Sequence, residues 1–287
     1  MFSKIKVLQI NIDRGKNAHD LAMATAVQTK IDVIVLCEPN RNRIKQGGWI
    51  TDRIKNVAVL IRNKLVPVTH DVVSRDGYVR IKIGKYSIFC CYFSPNVELE
   101  KFSKFLDELQ NDIAKDINNS IIMGDLNAKS VVWGSAKNDN RGDILTGMLA
   151  NLDFVCHNDG EVPTFQRDTS ISYIDITCSA SAIADRITSW KVLKQESLNL
   201  HRYIYFELAG NKVKNERTRK PKIMVEEKKF RKLLQDRIGG LNMYKLTYQA
   251  GTKIIEEAVK MATITDKKNT NKETPYWWTN EIAEARK

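Results

Sequence analysis

Ser120-Ile121-Ile122-Met123-Gly124-Asp125-Leu126-Asn127-Ala128-Lys129-Ser130 ends a short apolar run in a carboxylate and a carboxamide two residues apart. If Ile121 to Met123 form a buried strand, side chains alternate across its faces, so Asp125 and Asn127 project to the same side at its carboxyl end. Open α/β sheets bind their ligands there. A carboxylate able to hold a metal or a water, beside a neutral donor able to orient it or bind a phosphate oxygen, suits metal-assisted phosphoester hydrolysis. Taken alone, Gly-Asp-x-Asn fits ordinary turn chemistry equally well.

Outward from that strand, the first 210 residues alternate strand and helix signals. Residues 5–12 read as a strand, and Asn17 or Asp20 can cap a helix running to about residue 30 with Leu21, Ala24 and Val27 inward. Residues 32–37 make a second apolar strand, ended by Glu38-Pro39. Residues 57–61, 79–83 and 86–92 are β-rich, with Gly84 and Lys85 as a two-residue hairpin turn. Residues 98–117 have helical spacing through Phe102, Phe105, Leu106, Leu109 and Ile113, and 142–152 is a further helix candidate. Strands are expected at 154–157, 172–178, 190–193 and 202–208. Strands interleaved with a few long helices imply sheets covered by helices, two of them packed face to face.

After Leu208 the pattern changes, dividing the chain into residues 1–210 and residues 211–287. Residues 225–262 suggest two helices around Gly239-Gly240, and the adjacent Trp277 and Trp278 call for a partner surface. Of the net charge of +12, residues 211–287 carry +9. Lys212, Lys214, Arg217, Arg219, Lys220 and Lys222 form the densest basic run, which suits phosphate backbones or acidic partners and equally suits a solvated linker. With 43% hydrophobic residues the 287-residue chain can bury a sizeable core. No stretch approaches the apolar length of a membrane span, and the start leads into an alternating strand, so a soluble, unsecreted protein is expected. Cys37, Cys90, Cys91, Cys156 and Cys178 sit mostly in apolar segments without CxxC spacing, as reduced core thiols do.

Other polar residues end apolar runs in the same way. Asn11 follows Val7-Leu8-Gln9-Ile10, Glu38 follows residues 33–37, Asp175 sits in Ser172-Tyr173-Ile174-Asp175-Ile176-Thr177, and His201 opens the last strand. In this order they resemble the exonuclease-endonuclease-phosphatase superfamily. Further motifs, Cys91-Tyr92-Phe93-Ser94-Pro95-Asn96, Trp133-Gly134, Arg141-Gly142, Pro163-Thr164-Phe165 and His201-Arg202-Tyr203-Ile204, resemble one branch of it. That branch is the endonuclease domain of arthropod non-long-terminal-repeat retrotransposons, and the resemblance spans about residues 4–209. It implies a four-layer α/β sandwich, two packed β-sheets flanked by helices, followed by a basic, largely helical C-terminal tail. Residues 211–287 would then be a basic linker and helical connector toward an absent reverse transcriptase domain.

The resemblance also implies roles. Glu38 and Asn11 would serve a Mg²⁺ or Mn²⁺ ion, a hard cation that takes one or two carboxylates and completes its shell with water and phosphate. Asp125 would activate the attacking water, with Asn127 holding that aspartate or a phosphate oxygen. His201, oriented by Asp175, would contact the scissile phosphate and take part in proton transfer. Tyr92, Asn96 and Thr164 would line a groove for double-stranded DNA, with Lys212, Lys214, Arg217 and Arg219 beyond it. The implied product is a nick with a free 3′-hydroxyl that primes reverse transcription in the nucleus, with element RNA engaged through the full polyprotein. Plain readings compete: Glu38 before Pro39 also fits a surface carboxylate and His201 a polar strand end, whereas Asp175 inside an apolar strand demands a buried partner. His19, His70 and His157 have no comparable context.

Two departures stand out. The family places Ser-Asp before the histidine, and this chain has Asn199 and Leu200 there. A unit charge at ~4 Å with an effective dielectric of ~20 is worth on the order of 4 kcal/mol. If all of it acted on the transition state, its loss would slow the reaction by roughly 10³-fold. A nuclease of reduced or lost activity is therefore expected. Alternatives are a catalytically dead DNA-binding remnant, or a phosphatase or sphingomyelinase on the same fold. The second departure concerns the tyrosine expected two residues before the proline, where this chain has Phe93, with Tyr92 one position off.

Overall fold

The computed structural model describes residues 4–69, 71–210, 224–239 and 248–264. They fall into two units, one within Met1–Val213 and one within Lys214–Lys287.

The first unit holds two six-stranded mixed sheets. One runs β13 (Ile187–Val192), β14 (Ile204–Ala209), β1 (Lys4–Asn11), β2 (Val33–Cys37), β4 (Val57–Ile61), β3 (Ile50–Thr51). The other runs β5 (Val73–Arg75), β6 (Tyr78–Ile83), β7 (Tyr86–Tyr92), β8 (Ser120–Asp125), β12 (Asp175–Ala180), β9 (Phe154–Cys156). A short hairpin, β10 (Phe165–Arg167) and β11 (Ser170–Ser172), stands apart from both. Every residue of β2, β7, β8 and β12 is buried, because central strands are covered on both faces.

Alternation along these strands separates three apolar cores. Val7, Val35, Val59, Ile81, Cys90, Met123 and Phe206 fill the space between the sheets. Their neighbours Leu8, Ile10, Ile34 and Leu36 face α1 (Lys16–Gln28). On the far side, Phe89, Ile122 and Ile176 face α2 (Leu99–Ile113) and α3 (Asn140–Asn151). The result is the expected four-layer sandwich.

Helix α2 buries the predicted Phe102, Phe105, Leu106, Leu109 and Ile113, and its continuation to residue 119 is a 3₁₀ stretch broken at Asp116. The predicted Gly84-Lys85 turn joins paired Ile83 and Tyr86. Helix α1 corrects the sequence reading. It starts after Gly15 without a side-chain cap and buries Ala18, Ala22, Thr25 and Ala26, while Val27 is 61% exposed. Small residues let this helix lie close on the sheet, which outweighs the larger apolar side chains one position away. The strand expected at 172–178 is also two pieces, since Ser172 ends β11 and β12 begins at Asp175.

A polar cluster ties the second sheet to α2. Buried Asp112 accepts hydrogen bonds from Tyr78 Oη at 2.7 Å, Lys115 Nζ at 2.6 Å and Arg75 Nε at 3.2 Å. Burial alone would raise its pKa, but the bonds from Lys115, Tyr78 and Arg75 outweigh that and hold it at about 2. A carboxylate depressed in the folded state stabilises above its unfolded pKa and loses that contribution as pH falls through the folded value. Asp112→Ala is therefore expected to cost about 2 kcal/mol at neutral pH and nothing below pH ~2. Urea midpoints measured from pH 7 to pH 2 check this; parallel curves for variant and wild type would contradict it.

In the second unit, α4 (Glu227–Ile238) and α5 (Tyr248–Ala262) pair as the two helices expected around Gly239-Gly240, and Arg237 bonds Glu257 between them. Met224–Val225 and Thr263–Ile264 pair at their base as β15 and β16. Among the described residues, no helix is long and apolar enough to cross a membrane.

Candidate active site

The sheet register assembles the site before any side chain is considered. Asn11 ends β1 beside Cys37 of parallel β2, so Asn11 and Glu38 leave neighbouring strands together. In the second sheet, Tyr92 aligns with Asp125 across parallel β7 and β8, and Asp175 lies directly opposite Asp125 across antiparallel β12. His201 precedes β14 and bridges to Phe165, whose ring meets the imidazole edge-on at 4.9 Å. Face-to-face packing of the two sheets brings these ends to one cavity of about 500 Å³.

Asn11, Glu38, Tyr92, Asp125, Asn127 and His201 all line that cavity. Asp175 lies just behind it, 1% exposed, with Oδ2 at 2.9 Å from His201 Nδ1. His201 Nε2 is 3.9 Å from Asp125 Oδ2. Asn11 Nδ2 donates to Asp125 Oδ2 at 2.9 Å and to Glu38 Oε2 at 3.3 Å, while its Oδ1 accepts from Asp13 N–H at 2.8 Å. Asn11 thus couples the two carboxylates. Asn127, in the left-handed region at φ 47°, donates its backbone N–H to Asp125 Oδ1 at 3.0 Å and its side-chain amide to Phe93 O at 3.1 Å. It holds Asp125 through its backbone rather than its side chain.

Burial first, and then the charge of Asp175, raise the Asp125 pKa, against the pull of His201, Asn11 and the Asn127 N–H. Burial would lower the pKa of His201, but the charges of Asp175, Asp125 and Glu38 and the Asp175 hydrogen bond raise it. His201 is therefore an imidazolium at neutral pH, held between two carboxylates. Burial first, and then the charge of the neighbouring Glu38, raise the pKa of Tyr92. Tyr92 thus faces the cavity despite its offset. Phe93 instead packs against Phe102 and Phe105, each at 5.0 Å.

Two donor sets invite a cation. Asp125, Asp175 and His201 offer ligand atoms within 4.8 Å of one another, but the His201–Asp175 bond already uses one nitrogen and one oxygen of that group. Lining the open cavity are the carboxylates of Glu38 and Asp125, hard oxygen donors that fit Mg²⁺ or Mn²⁺, whereas Asn11 turns its amide nitrogen to both and its Oδ1 to Asp13 N–H. Three carboxylates around one imidazolium leave negative charge that a divalent ion offsets.

The remaining predicted residues separate. Asn96 is exposed on the loop after Pro95 and is not among the cavity's lining residues. Thr164 is fully buried, and its Oγ1 accepts from Asp175 N–H at 3.2 Å. It therefore supports the wall from behind and presents nothing to a groove, because its hydroxyl is consumed by the strand carrying Asp175. Lys212, Lys214, Arg217 and Arg219, like Trp277 and Trp278, lie outside the described residues.

Several residues went unassigned in the sequence. Lys129, Arg141 and Arg167 bring positive charge to the cavity. Arg141 also donates to the carbonyls of Ser94, Pro95 and Val97 and lies over the Phe93 and Phe102 rings at 5.3 and 5.2 Å, clamping the loop that follows Tyr92. The Arg141-Gly142 motif was its signal. Gly142 is required because a Cβ there would lie 1.8 Å from Lys129 O. Lys129 and Arg167 carry no such signal.

The family model for endonuclease-reverse transcriptase matches residues 86–205. Among solved structures, the endonuclease domain of TRAS1, a telomere-specific non-LTR retrotransposon, is 26% identical with a TM-score of 0.62, covering 72% of this chain and all (100%) of that one. An AP endonuclease from Archaeoglobus fulgidus has 16% identity and a TM-score of 0.53, covering 70% of this chain and 98% of its own. A 3′ phosphatase from Neisseria bound to product DNA hairpin has 13% identity and a TM-score of 0.54, covering 72% and 100%. These last two share the fold. No curated protein matches the chain by sequence. The matched segment includes Tyr92, Asp125, Asn127, Asp175 and His201, and together with the likeness to the TRAS1 domain it identifies residues 86–205 as part of an endonuclease domain of the non-LTR retrotransposon kind.

Proposed function

We propose that the domain is a divalent-cation-dependent endonuclease that nicks double-stranded DNA and leaves a 3′-hydroxyl. The observation carrying this reading is the convergence of Asn11, Glu38, Asp125 and the His201–Asp175 pair on one cavity. Glu38, its carboxylate oriented by Asn11, would hold the cation, whose chemistry is to neutralise charge on the scissile phosphate. Asp125, with its raised pKa, accepts the proton of the attacking water. His201, kept protonated by Asp175, donates from Nε2 to a phosphate oxygen and steadies the charge that develops there. Lys129 and Arg167 receive neighbouring phosphates. Kinship with the endonuclease domain of a telomere-specific retrotransposon supports DNA as substrate and the nucleus as the place of action. Residues 211–287 then act as a connector toward a reverse transcriptase, through which element RNA is engaged.

A second reading rests on Leu200. It is 38% exposed and lines the cavity beside His201, where the family resemblance calls for a carboxylate. An apolar group there favours a DNA-binding remnant of the same domain. Supercoiled-plasmid nicking with Mg²⁺ separates the two. The nuclease reading expects slow nicking by the native chain, a gain of up to roughly 10³-fold in Leu200→Asp, and loss in Asp125→Ala. Salt-sensitive DNA binding without nicking, even with Mn²⁺, selects the remnant. Native turnover equal to that of Leu200→Asp makes the missing charge irrelevant. Soluble phosphomonoesters should be hydrolysed negligibly; rapid turnover of them would point to a phosphatase instead.

A further inference from the structure

All five cysteines are free thiols, and two of them meet. Cys156 of β9 and Cys178 of β12 stand directly opposite each other on antiparallel strands. The pair one step along is hydrogen-bonded, His157 N–H to Thr177 O at 2.9 Å, and so is the pair three steps the other way, Ser181 N–H to Asp153 O at 2.9 Å. By alternation, 156 and 178 form a non-hydrogen-bonded pair. Such pairs bring their Cα atoms to ~4.5 Å, within the span a disulfide bridges. The interaction of the two neighbouring thiols lowers the pKa of Cys156 and raises that of Cys178. Cys156 is half-buried and Cys178 fully buried. Cys37, Cys90 and Cys91 are fully buried, and burial raises the pKa of all three.

We propose that Cys156 and Cys178 form a peroxide-reactive dithiol that closes into a cross-strand disulfide at the base of one wall of the active-site cavity. The Cys156 thiolate attacks one oxygen of a hydroperoxide, the O–O bond breaks, and protonation of the departing oxygen releases water or an alcohol, leaving a sulfenic acid. The Cys178 sulfur then attacks the Cys156 sulfur, forming the S–S bond and expelling hydroxide, which takes up the Cys178 proton and leaves as water. Two sulfurs are oxidised by two electrons in all, and the peroxide is reduced by the same two.

The placement gives the bond a consequence. The segment between the two cysteines carries Phe165, Arg167, Ser172 and Ile174 of the cavity lining, and Asp175 behind His201. Asn158 spans its base, donating to Asp175 O at 2.9 Å and accepting from Thr177 N–H at 2.9 Å. Cys156 Sγ donates to Asn158 Oδ1 at 3.6 Å, a contact oxidation removes while both backbone bonds of Asn158 remain. The disulfide fastens both ends of this wall without displacing Asp175.

The full chain is treated with dilute hydrogen peroxide, quenched, denatured, alkylated and weighed. The expected result is loss of two alkylatable thiols and of the mass of two hydrogens. Peptides containing residues 156 and 178 should be joined, dithiothreitol should separate them, and Tm should rise by about 5 °C. Cys156→Ser should keep its remaining thiols under the same treatment. Addition of oxygen to Cys156 while Cys178 stays alkylatable overturns the proposal. So does a bridge between any other pair, or full retention of thiols under conditions that oxidise glutathione.

Discussion

His201→Ala lowers the Mg²⁺-dependent nicking rate by roughly 10³- to 10⁴-fold. Among the described residues, the imidazole is the one cationic group held between Asp125 and Asp175, at 3.9 and 2.9 Å. Without it, the two buried carboxylates face each other uncompensated, Asp125 stays protonated to higher pH, and a smaller fraction of it is ionised and able to take a proton from water. Asp175→Asn separates orientation from charge. An amide can still bond Nδ1 and hold the ring, but it no longer favours the imidazolium. The variant should therefore lose roughly 10²- to 10³-fold at pH 8 and recover part of that loss as pH falls toward 6, where the ring is protonated without help. A flat pH–rate ratio between Asp175→Asn and wild type would remove the imidazolium from the mechanism. Full activity in His201→Ala would remove the histidine altogether.

Gly124→Ala should cost the fold about 4 kcal/mol or more and abolish nicking with it. Gly124 has φ 136°, and a Cβ built on it would lie 1.8 Å from Cys91 O and 2.9 Å from Cys91 N on the neighbouring strand. Those are backbone atoms of a parallel ladder, so no side chain can swing aside. Relief requires β8 and β7 to separate where Tyr92 pairs with Asp125, and the cavity loses its register along with its stability. A urea melt gives the stability change directly. A midpoint equal to that of wild type would show that the close approach of the two strands is not needed.

Some of this architecture was legible in the chain because local rules govern it. Period-two apolar runs marked the central strands, the spacing of Phe102 through Ile113 marked the inward face of α2, and Gly84-Lys85 marked a hairpin. Where signals conflicted, packing decided. In α1 the small residues Ala18, Ala22 and Ala26 went inward and Val27 outward. Thr164 read as a groove residue because its motif adjoins Phe165, yet its hydroxyl is bound to the backbone of Asp175. Arg167 reaches the cavity only because the hairpin of β10 and β11 is tied to the chain at His201.

The sequence by itself determined which residue types end which strands: Asn11 after β1, Glu38 after β2, Asp125 at the end of β8, Asp175 at the start of β12 and His201 before β14. Alternation and burial are local properties, so an acid at the end of an apolar run reads directly from neighbouring residues. Only the tertiary structure decided that these ends meet. The five groups come from two sheets, and the bonds that join them, Asn11 to Asp125 and His201 to Asp175, connect residues distant in the chain. The same packing shifted the pKa values of Asp125 and His201, because desolvation and charge coupling arise only when strands distant in sequence exclude water together.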